Sequence, residues 1–146
     1  MRLAALFALA VAATASYAAG AEFRAVGDDG AVLYDAPSRQ ATPLFVVSKG
    51  YPLEVIAQTD AWVKVRDAAG ALTWIERRRL AERRTVLVTA PAAEAHQRPD
   101  DAAPVSFVAA KDVALDYVDG APDGWVHVRH ADGADGYLHA AALWGD

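Results

Sequence analysis

The sequence predicts an all-β protein of two tandem small β-barrels, preceded by an N-terminal signal peptide. The main observation is a repeat, because Trp62–Leu80 (WVKVRDAAGALTWIERRRL) returns as Trp125–Leu143 (WVHVRHADGADGYLHAAAL) at a constant offset of 63 residues. Each copy contains two short alternating runs joined by a turn that ends in glycine, which is typical of a β-hairpin. No segment keeps helical periodicity over two turns, so short strands separated by turns are expected throughout.

The first element is a secretory signal peptide, predicted at Met1–Ala21 and excluded from the fold. A basic second residue precedes the apolar run Leu3–Ala13, which is shorter than the roughly 20 residues that a membrane span requires. Both Ala19–Ala21 and Ser16–Ala18 fit the small-x-small cleavage pattern. We therefore expect a periplasmic or secreted protein whose mature chain has no membrane span.

The repeat divides the remaining chain into two domains, predicted at residues 22–84 and 85–146. Domains of about 60 residues have thin cores, and the chain has no cysteine for a disulfide, a zinc thiolate or a thiol nucleophile. The first domain has ten Lys/Arg against nine Asp/Glu, a net charge of +1, and the second has three against ten, a net charge of −7. These charges favour orientation of the two domains against each other, or of a partner against one of them.

The first domain is expected to contain short strands separated by turn formers. The polar segment Asp35–Pro43 predicts an irregular loop, and Arg77–Leu80 predicts one tight helical turn. The expected strands are Glu22–Val26, Val32–Tyr34, Leu44–Val47, Leu53–Gln58 and the two strands of the hairpin that begins at Trp62.

The second domain is expected to repeat this order. Val86–Pro91 (VLVTAP) is similar to Val32–Pro37 (VLYDAP) at an offset of 54, which places about nine extra residues in a loop around Ala92–Ala103. The further strands expected are Arg84–Val88, Val105–Val108, Val113–Val118 and the two of the second hairpin. The first of these either closes the first domain or opens the second.

Each hairpin assigns its side chains to faces, because neighbours along a strand point to opposite sides of a sheet. The two valines of WVKVR share one face, and Trp62 lies on the other with the charged residues. With a turn at residues 67–69, Trp62 lies opposite Trp74, and the second copy places Trp125 opposite Tyr137. Such aromatics either pack under a loop or between the domains, or form a platform for a ligand.

The order of these elements resembles bacterial SH3-like (SH3b) domains. The residues that carry the resemblance are the LYDAP start at Leu33–Pro37, a long polar loop, Lys49–Gly50 before a strand, and a Trp-Val-x-Val hairpin. The resemblance covers most of Val26–Trp144 as two copies. It implies a small SH3-like β-barrel that acts as a binding module, which exported bacterial proteins often use at the cell wall or envelope.

Eukaryotic relatives of this fold bind proline-rich peptides in a groove of aromatic side chains. Tyr34, Trp62 and Trp74 match groove aromatics in the first domain, and the second domain keeps Trp125 and Tyr137. The positions that depart from the groove pattern are Ala36, Glu76 and Arg79 in the first domain and Val88, Ala90, His139 and Ala142 in the second. A polyproline helix needs stacked aromatic slots, so recognition of proline-rich peptides is disfavoured.

The residues form no pattern for catalysis, a cofactor or a metal ion. His127 and His130 are three apart and point to opposite faces of a strand, and His139 approaching His127 gives two ligands where zinc needs three or four. The sequence has no P-loop, dinucleotide fingerprint or nucleophile elbow. We therefore expect no enzyme activity, and the net charge of −5 disfavours nucleic acid as a partner.

The segment Glu76–Arg84 (ERRRLAERR) carries five arginines. One interpretation is a solvated connector held by local Glu–Arg pairs, each of which contributes less than about 1 kcal/mol. The other is an anion-binding edge that faces wall carboxylates, a phosphate-bearing polymer or an acidic protein.

The sequence thus favours a non-catalytic, exported binding module for a cell-envelope component, either peptidoglycan (cell-wall glycan or peptide) or an envelope protein. The alternative is a structural or adaptor protein, whose aromatics pack between the domains and whose acidic second domain docks a protein partner. The candidate ligand-binding residues are Tyr34, Arg39, Trp62, Lys64, Trp74, Arg79, Trp125 and Tyr137.

Overall fold

The structure, a computed structural model, describes residues 20–146, which form two seven-stranded antiparallel sheets and three short 3-10 turns. The predicted all-β class is therefore confirmed. The predicted signal peptide, Met1–Ala21, lies outside the described residues except for its last two positions. Between Gly20 and the end of the chain, no helix has the length and apolar character to cross a bilayer.

The first sheet contains strands β1 to β7 in the order β3-β2-β6-β5-β4-β1-β7. Its strands are β1 (Glu22–Val26), β2 (Ala31–Tyr34), β3 (Pro43–Val47), β4 (Pro52–Gln58), β5 (Trp62–Arg66), β6 (Leu72–Glu76) and β7 (Leu80–Ala81). A 3-10 turn at Arg77–Arg79 connects β6 to β7, at the position of the predicted helical turn.

The second sheet contains strands β8 to β14 in the order β10-β9-β13-β12-β11-β8-β14, which repeats the order of the first. Its strands are β8 (Thr85–Val88), β9 (Ala92–His96), β10 (Val105–Ala110), β11 (Ala114–Ala121), β12 (Trp125–Arg129), β13 (Asp135–His139) and β14 (Leu143–Trp144). Among residues 20–146, strand pairing joins neither β3 to β7 nor β10 to β14, so each sheet ends in two edge strands.

Each sheet buries its own apolar core, as the alternation of side chains along the strands predicts. Val63 and Val65 are fully buried, whereas Trp62 and Lys64 between and beside them are partly exposed. The first core also contains Val26, Leu33, Leu53 and Ile75, and the second contains Val86, Val88, Leu115, Val126, Val128 and Leu138. The inner face of each hairpin is therefore the valine face.

The predicted structural equivalence of the VLVTAP and VLYDAP segments is wrong. Strand β8 pairs with β11 and β14, as β1 pairs with β4 and β7, so VLVTAP belongs to the counterpart of the first strand. The counterpart of Tyr34 is His96, because these residues pair with Trp74 and Tyr137 respectively. The groove positions assigned to Val88 and Ala90 therefore belong to residues of β9 and the loop that follows it.

The predicted long loop around Ala92–Ala103 is also corrected, because its first half is strand β9. Ala93 and Ala95 point into the core and are at most 4% exposed. Alanine and glutamate are depleted in strands, so the segment has no local strand signal. Its pairing with β10 and β13 supplies the structure that its composition does not predict.

The register of both hairpins differs from the prediction by two residues. Trp62 pairs with Glu76, and Lys64 pairs with Trp74. The turn is longer than expected because the Asp67 carboxylate accepts hydrogen bonds from the amides of Ala69 and Ala71, at 3.0 and 2.9 Å. A shift of two residues keeps every side chain on its predicted face but changes its cross-strand partner.

The second hairpin shows the same shift, so Trp125 lies opposite His139 and not opposite Tyr137. Tyr137 pairs instead with His127. The backbone amide of His130 donates to the carbonyl of Ala134 at 2.7 Å, which closes the turn at the same length as in the first hairpin.

The two sheets meet at a polar and aromatic junction, where β1 and β4 lie against β8 and β1 contacts β14. Phe23 packs edge to face on Trp144, with ring centroids 5.1 Å apart. The Arg84 guanidinium lies 4.0 Å from the centroid of the Tyr117 ring and donates to the Gly145 carbonyl at 3.0 Å. The aromatic side chains at this junction are therefore different from the Trp62 and Trp74 that the adaptor interpretation places there.

Candidate binding cleft

Aromatic and charged side chains occupy the outer face of the first sheet, opposite the core. Tyr34, Trp74 and Lys64 lie side by side on β2, β6 and β5. Trp62 and Glu76 form the next cross-strand pair on the same face. The rings of Tyr34 and Trp62 pack edge to face with centroids 5.6 Å apart, a contact that stabilises by about 0.5–1.5 kcal/mol.

The loop between β2 and β3 folds over this face and forms one side of a cleft. The Asp35 amide donates to the Thr42 carbonyl at 3.1 Å, and the Asp35 carboxylate accepts from the Thr42 amide at 3.0 Å, which closes the loop at its base. We call the resulting cavity of about 350 Å³ the first cleft. It is lined by Pro37, Ser38, Arg39, Gln40, Ala61, Trp62 and Glu76.

Glu76 is the electrostatic centre of the first cleft. Its carboxylate accepts hydrogen bonds from Arg39 at 2.7 Å and from Arg78 at 2.8 Å. These two contacts lower the pKa of Glu76 from its usual 4.5 to about 2, and the contact with Glu76 raises the pKa of Arg39. Arg39 and Arg78 remain about 60% exposed, so their remaining N–H donors face solvent.

We expect the Glu76 carboxyl to titrate near pH 2 by carbon-detected NMR. Because its pKa is lowered in the folded chain, ionised Glu76 stabilises the fold above pH 4.5, and this contribution is lost as the pH falls from 4.5 to 2. Arg39→Gln and Arg78→Gln each raise the pKa of Glu76, whereas Arg66→Gln, which removes the partner of a different glutamate, leaves it unchanged. Titration of Glu76 near 4.5 in the unaltered protein would contradict this account.

Of the eight residues predicted to bind a ligand, Arg39 and Trp62 line the first cleft. Tyr34 supports Trp62 from the neighbouring strand. Trp74 and Lys64 lie next to the cleft as a pair, with the lysine Nζ 6.0 Å from the centroid of the indole.

Arg79 does not belong to the first cleft. Its guanidinium pairs with Asp28 in the turn between β1 and β2. The five arginines of Glu76–Arg84 all have partners within residues 20–146, which supports the interpretation of this segment as a connector. Their partners are Thr59 for Arg77, Glu76 for Arg78, Asp28 for Arg79, Asp116 for Arg83, and Tyr117 with Gly145 for Arg84.

The second sheet carries a related cleft, in which Trp125 and Tyr137 have different surroundings. Trp125 is buried between the rings of His96 and His139, with centroid distances of 5.7 and 3.8 Å. Tyr137 stacks on His127 with centroids 4.6 Å apart. Trp125 is therefore a buried residue that packs behind His96 and His139, whereas Trp62 lines the first cleft directly.

His96 is a buried polar residue of the second domain, with 7% of its surface exposed. Its ring Nδ1 lies 2.9 Å from the Ala103 carbonyl oxygen. Within residues 20–146, no group of three or more histidine, aspartate and glutamate side chains lies close enough together to hold a metal ion.

Sequence reasoning missed Glu76 as the partner of Trp62 and Arg39, and it missed His96, His139 and Asp101 as a connected group. The signal for Glu76 is the Asp67–Gly70 spacing, since an aspartate that caps a turn ending in glycine lengthens the turn and moves the register. The second group depends on the position of β9, because His96 is the last residue of β9 and Asp101 lies in the loop that follows it.

Two similar all-β domains, each with a cleft on its outer face beside a Trp-led hairpin, define the class of the protein. Residues 27–82 and 90–145 each match the family described as bacterial SH3 domain. Because the matches span more than half of the chain, the protein belongs to this family, and the resemblance predicted from the sequence is confirmed.

Three solved structures are similar to this chain at low sequence identity. NlpC2 from Trichomonas vaginalis is 16% identical with a TM-score of 0.39, over 90% of this chain and 50% of that one. NlpC1 from the same organism is 15% identical with a TM-score of 0.39, over 97% and 51%. An NlpC/P60 family protein from Bacillus cereus is 15% identical with a TM-score of 0.36, over 83% and 55%. The chain thus spans about half the length of each, and no curated protein gave a significant match.

Proposed function

We propose that the protein is an exported, non-catalytic binding protein that recognises peptidoglycan in the cell envelope through the first cleft. The observation that carries this proposal is a cavity of about 350 Å³ lined by a partly exposed tryptophan and by Arg39. Arg78 lies next to this cavity, and both arginines keep free donors beside Glu76. Membership of the bacterial SH3 domain family supports a binding role.

The first cleft offers two kinds of contact that fit a cell-wall glycan with a peptide stem. The indole of Trp62 presents an apolar face on which a sugar ring can stack. Arg39 and Arg78 each keep N–H donors beyond those bound to Glu76, and these donors fit a ligand carboxylate. The cavity volume lies at the low end of the range for small-molecule sites, which suits one monosaccharide or a short peptide segment.

Glu76 positions the cations and sets the net charge of the site. Its low pKa keeps it ionised throughout the physiological range, so both arginines stay oriented toward the cleft. Two arginines against one glutamate leave a net positive rim. The chemistry is that of recognition, since a carboxylate held between two arginines is a poor proton donor or acceptor at neutral pH.

Sedimentation with purified peptidoglycan sacculi tests this proposal. We expect the protein to co-sediment with native sacculi, and we expect about tenfold weaker binding when the carboxylates of the sacculi are methyl-esterified, because the arginine contacts are lost. Equal binding to both preparations would show that the arginines do not contact carboxylates of the sacculi. Absence of co-sedimentation would overturn the proposed function.

The rival function is an adaptor whose acidic second domain docks an envelope protein. The observation that favours it is the exposed apolar edge of β10, where Val105 and Val108 are 43% and 59% exposed on the domain of net charge −7. Cross-linking in periplasmic extract distinguishes the two: recovery of a protein partner through β10, with no retention on sacculi, favours the adaptor.

A further inference from the structure

The clefts of the two domains share two equivalent positions, Arg39 with Asp101 and Glu76 with His139, and each lies beside an aromatic pair of the same geometry. The Tyr34 and Trp62 rings meet at 85° with centroids 5.6 Å apart, and His96 and Trp125 meet at 88° with centroids 5.7 Å apart. The loops after β2 and β9 are closed by the same backbone bonds, since the amide of Gln97 donates to the Pro104 carbonyl in the second as Asp35 does to Thr42 in the first.

The charge of the loop residue is reversed between the two clefts. In the first cleft, Arg39 at the loop tip donates to Glu76 at 2.7 Å. In the second, Asp101 takes the place of the arginine, and His139 Nε2 lies 2.7 Å from its carboxylate. The contact across the cleft is retained, but the exposed loop residue is an anion in the second domain and a cation in the first.

The second cleft is a cavity of about 440 Å³ with an apolar floor and an acidic rim. Its lining residues are Ala92, Ala93, Glu94, His96, Asp101, Val108, Leu138, His139 and Ala142. None of these nine residues is a lysine or an arginine, so the carboxylates of Glu94 and Asp101 have no fixed positive charge beside them within the lining. Asp101 is 77% exposed and can turn toward a ligand.

His96 adds a third acceptor to this lining. A carbonyl oxygen only accepts, so the bond to the Ala103 carbonyl places the proton of the neutral ring on Nδ1. The other nitrogen, Nε2, then carries a lone pair and has no hydrogen-bond partner within residues 20–146, although His96 is more than nine-tenths buried. Nε2 keeps some exposed surface, so a donor that enters the cavity can reach it.

We propose that the second cleft binds an aliphatic primary amine, such as the side chain of a lysine residue. An ammonium group has three N–H donors, which match the acceptors of Glu94, Asp101 and His96. The methylene chain that carries it packs on the exposed side chains of Ala92 and Val108. The two clefts of one chain thus select groups of opposite charge, a carboxylate in the first and an ammonium in the second.

Titration of the full chain with Nα-acetyl-lysine N-methylamide, followed by ¹H–¹⁵N NMR, tests this proposal. We expect shift changes at Ala93, His96 and Leu138, and none with the norleucine analogue, which has a similar length and no charge. Asp101→Asn weakens binding about tenfold, the effect of one charged hydrogen bond. Cadaverine serves as a second probe: tighter binding of the lysine probe assigns the cleft to a peptide side chain, and tighter binding of cadaverine assigns it to a free diamine.

Asp123→Asn is the matched control, because it removes the same charge from an exposed turn of the same domain, at a residue with φ of 59° that asparagine tolerates. It leaves amine binding unchanged. Arg39→Gln also leaves amine binding unchanged while weakening retention on sacculi, so failure of this proposal and failure of the proposed function are distinguishable. Equal binding of the norleucine analogue, absence of shift changes in the second cleft, or an equal loss in Asp123→Asn would overturn the proposal.

Discussion

Replacing Trp62 by alanine should weaken binding to peptidoglycan about thirtyfold. Trp62 is the aromatic side chain that lines the first cleft, and a central tryptophan at a binding site contributes about 2 kcal/mol or more when it is truncated. A loss of that size corresponds to about a thirtyfold change in Kd. The measurement is a binding isotherm on purified sacculi with the unaltered protein and the Trp62→Ala variant.

Leu72→Ala is the matched control for this prediction. Leu72 is a 49% exposed apolar residue at the other end of the same hairpin, and it does not line the first cleft. Truncating this side chain tests whether retention on sacculi reflects non-specific hydrophobic adsorption. Both variants must keep the NMR spectrum of the first core, because Trp62 also packs on Tyr34. Retention unchanged in Trp62→Ala, or equally reduced in Leu72→Ala, would contradict the role of the tryptophan.

Replacing a core leucine by alanine should destabilise its own sheet by about 2–5 kcal/mol, the usual cost of a buried cavity. Leu53 and Leu115 occupy equivalent positions in the two cores and are at most 1% exposed. We expect Leu53→Ala to reduce hydrogen-exchange protection mainly in residues 22–81 and Leu115→Ala mainly in residues 85–144. Native-state hydrogen exchange measures this directly.

The reason for a local effect is that each sheet has a separate apolar core. The junction between the sheets is held by a few polar contacts, such as the 2.6 Å bond from Thr85 Oγ1 to the Gly50 carbonyl, and by the Phe23 and Trp144 rings. Leu72→Ala serves again as the exposed control and should change stability by less than about 0.5 kcal/mol. An equal loss of protection in both sheets after either core substitution would show one cooperative unit.

The sequence predicts the strands of the first domain well because their apolar residues alternate and turn formers separate them. Val63 and Val65 face the core, and strands β1 to β5 start within one residue of their predicted positions. The predicted boundary between the two domains, after residue 84, stays a prediction. The signal peptide stays one too, since it falls on residues that the structure does not describe.

The second domain was less predictable because tertiary contacts, and not local propensity, form β9. Ala93 and Ala95 give no strand signal, but small residues are needed there: a Cβ at Gly136 on β13 would lie 3.0 Å from the Ala95 Cβ. The close approach of β9 and β13 thus depends on alanine and glycine, which are residues that strand propensity disfavours. Because β9 positions His96, the second cleft could not be predicted from the sequence without predicting β9 first.

The first cleft was predicted in part, because alternation gives the face of a side chain but not its cross-strand partner. Tyr34, Trp62, Trp74 and Lys64 do share one face, as the period-2 rule requires. The turn length then decides that Trp62 meets Glu76, and only the fold of the following loop brings Arg39 to the same carboxylate.

The most direct test of the central claim is NMR mapping of a soluble peptidoglycan fragment on the full chain. The account predicts the largest shift changes at the Trp62 indole, at the backbone of residues 37–40 and at Glu76, with saturation at one site in the first domain. Changes confined to the second domain or to the edge strands, or no change at saturating fragment, would contradict it.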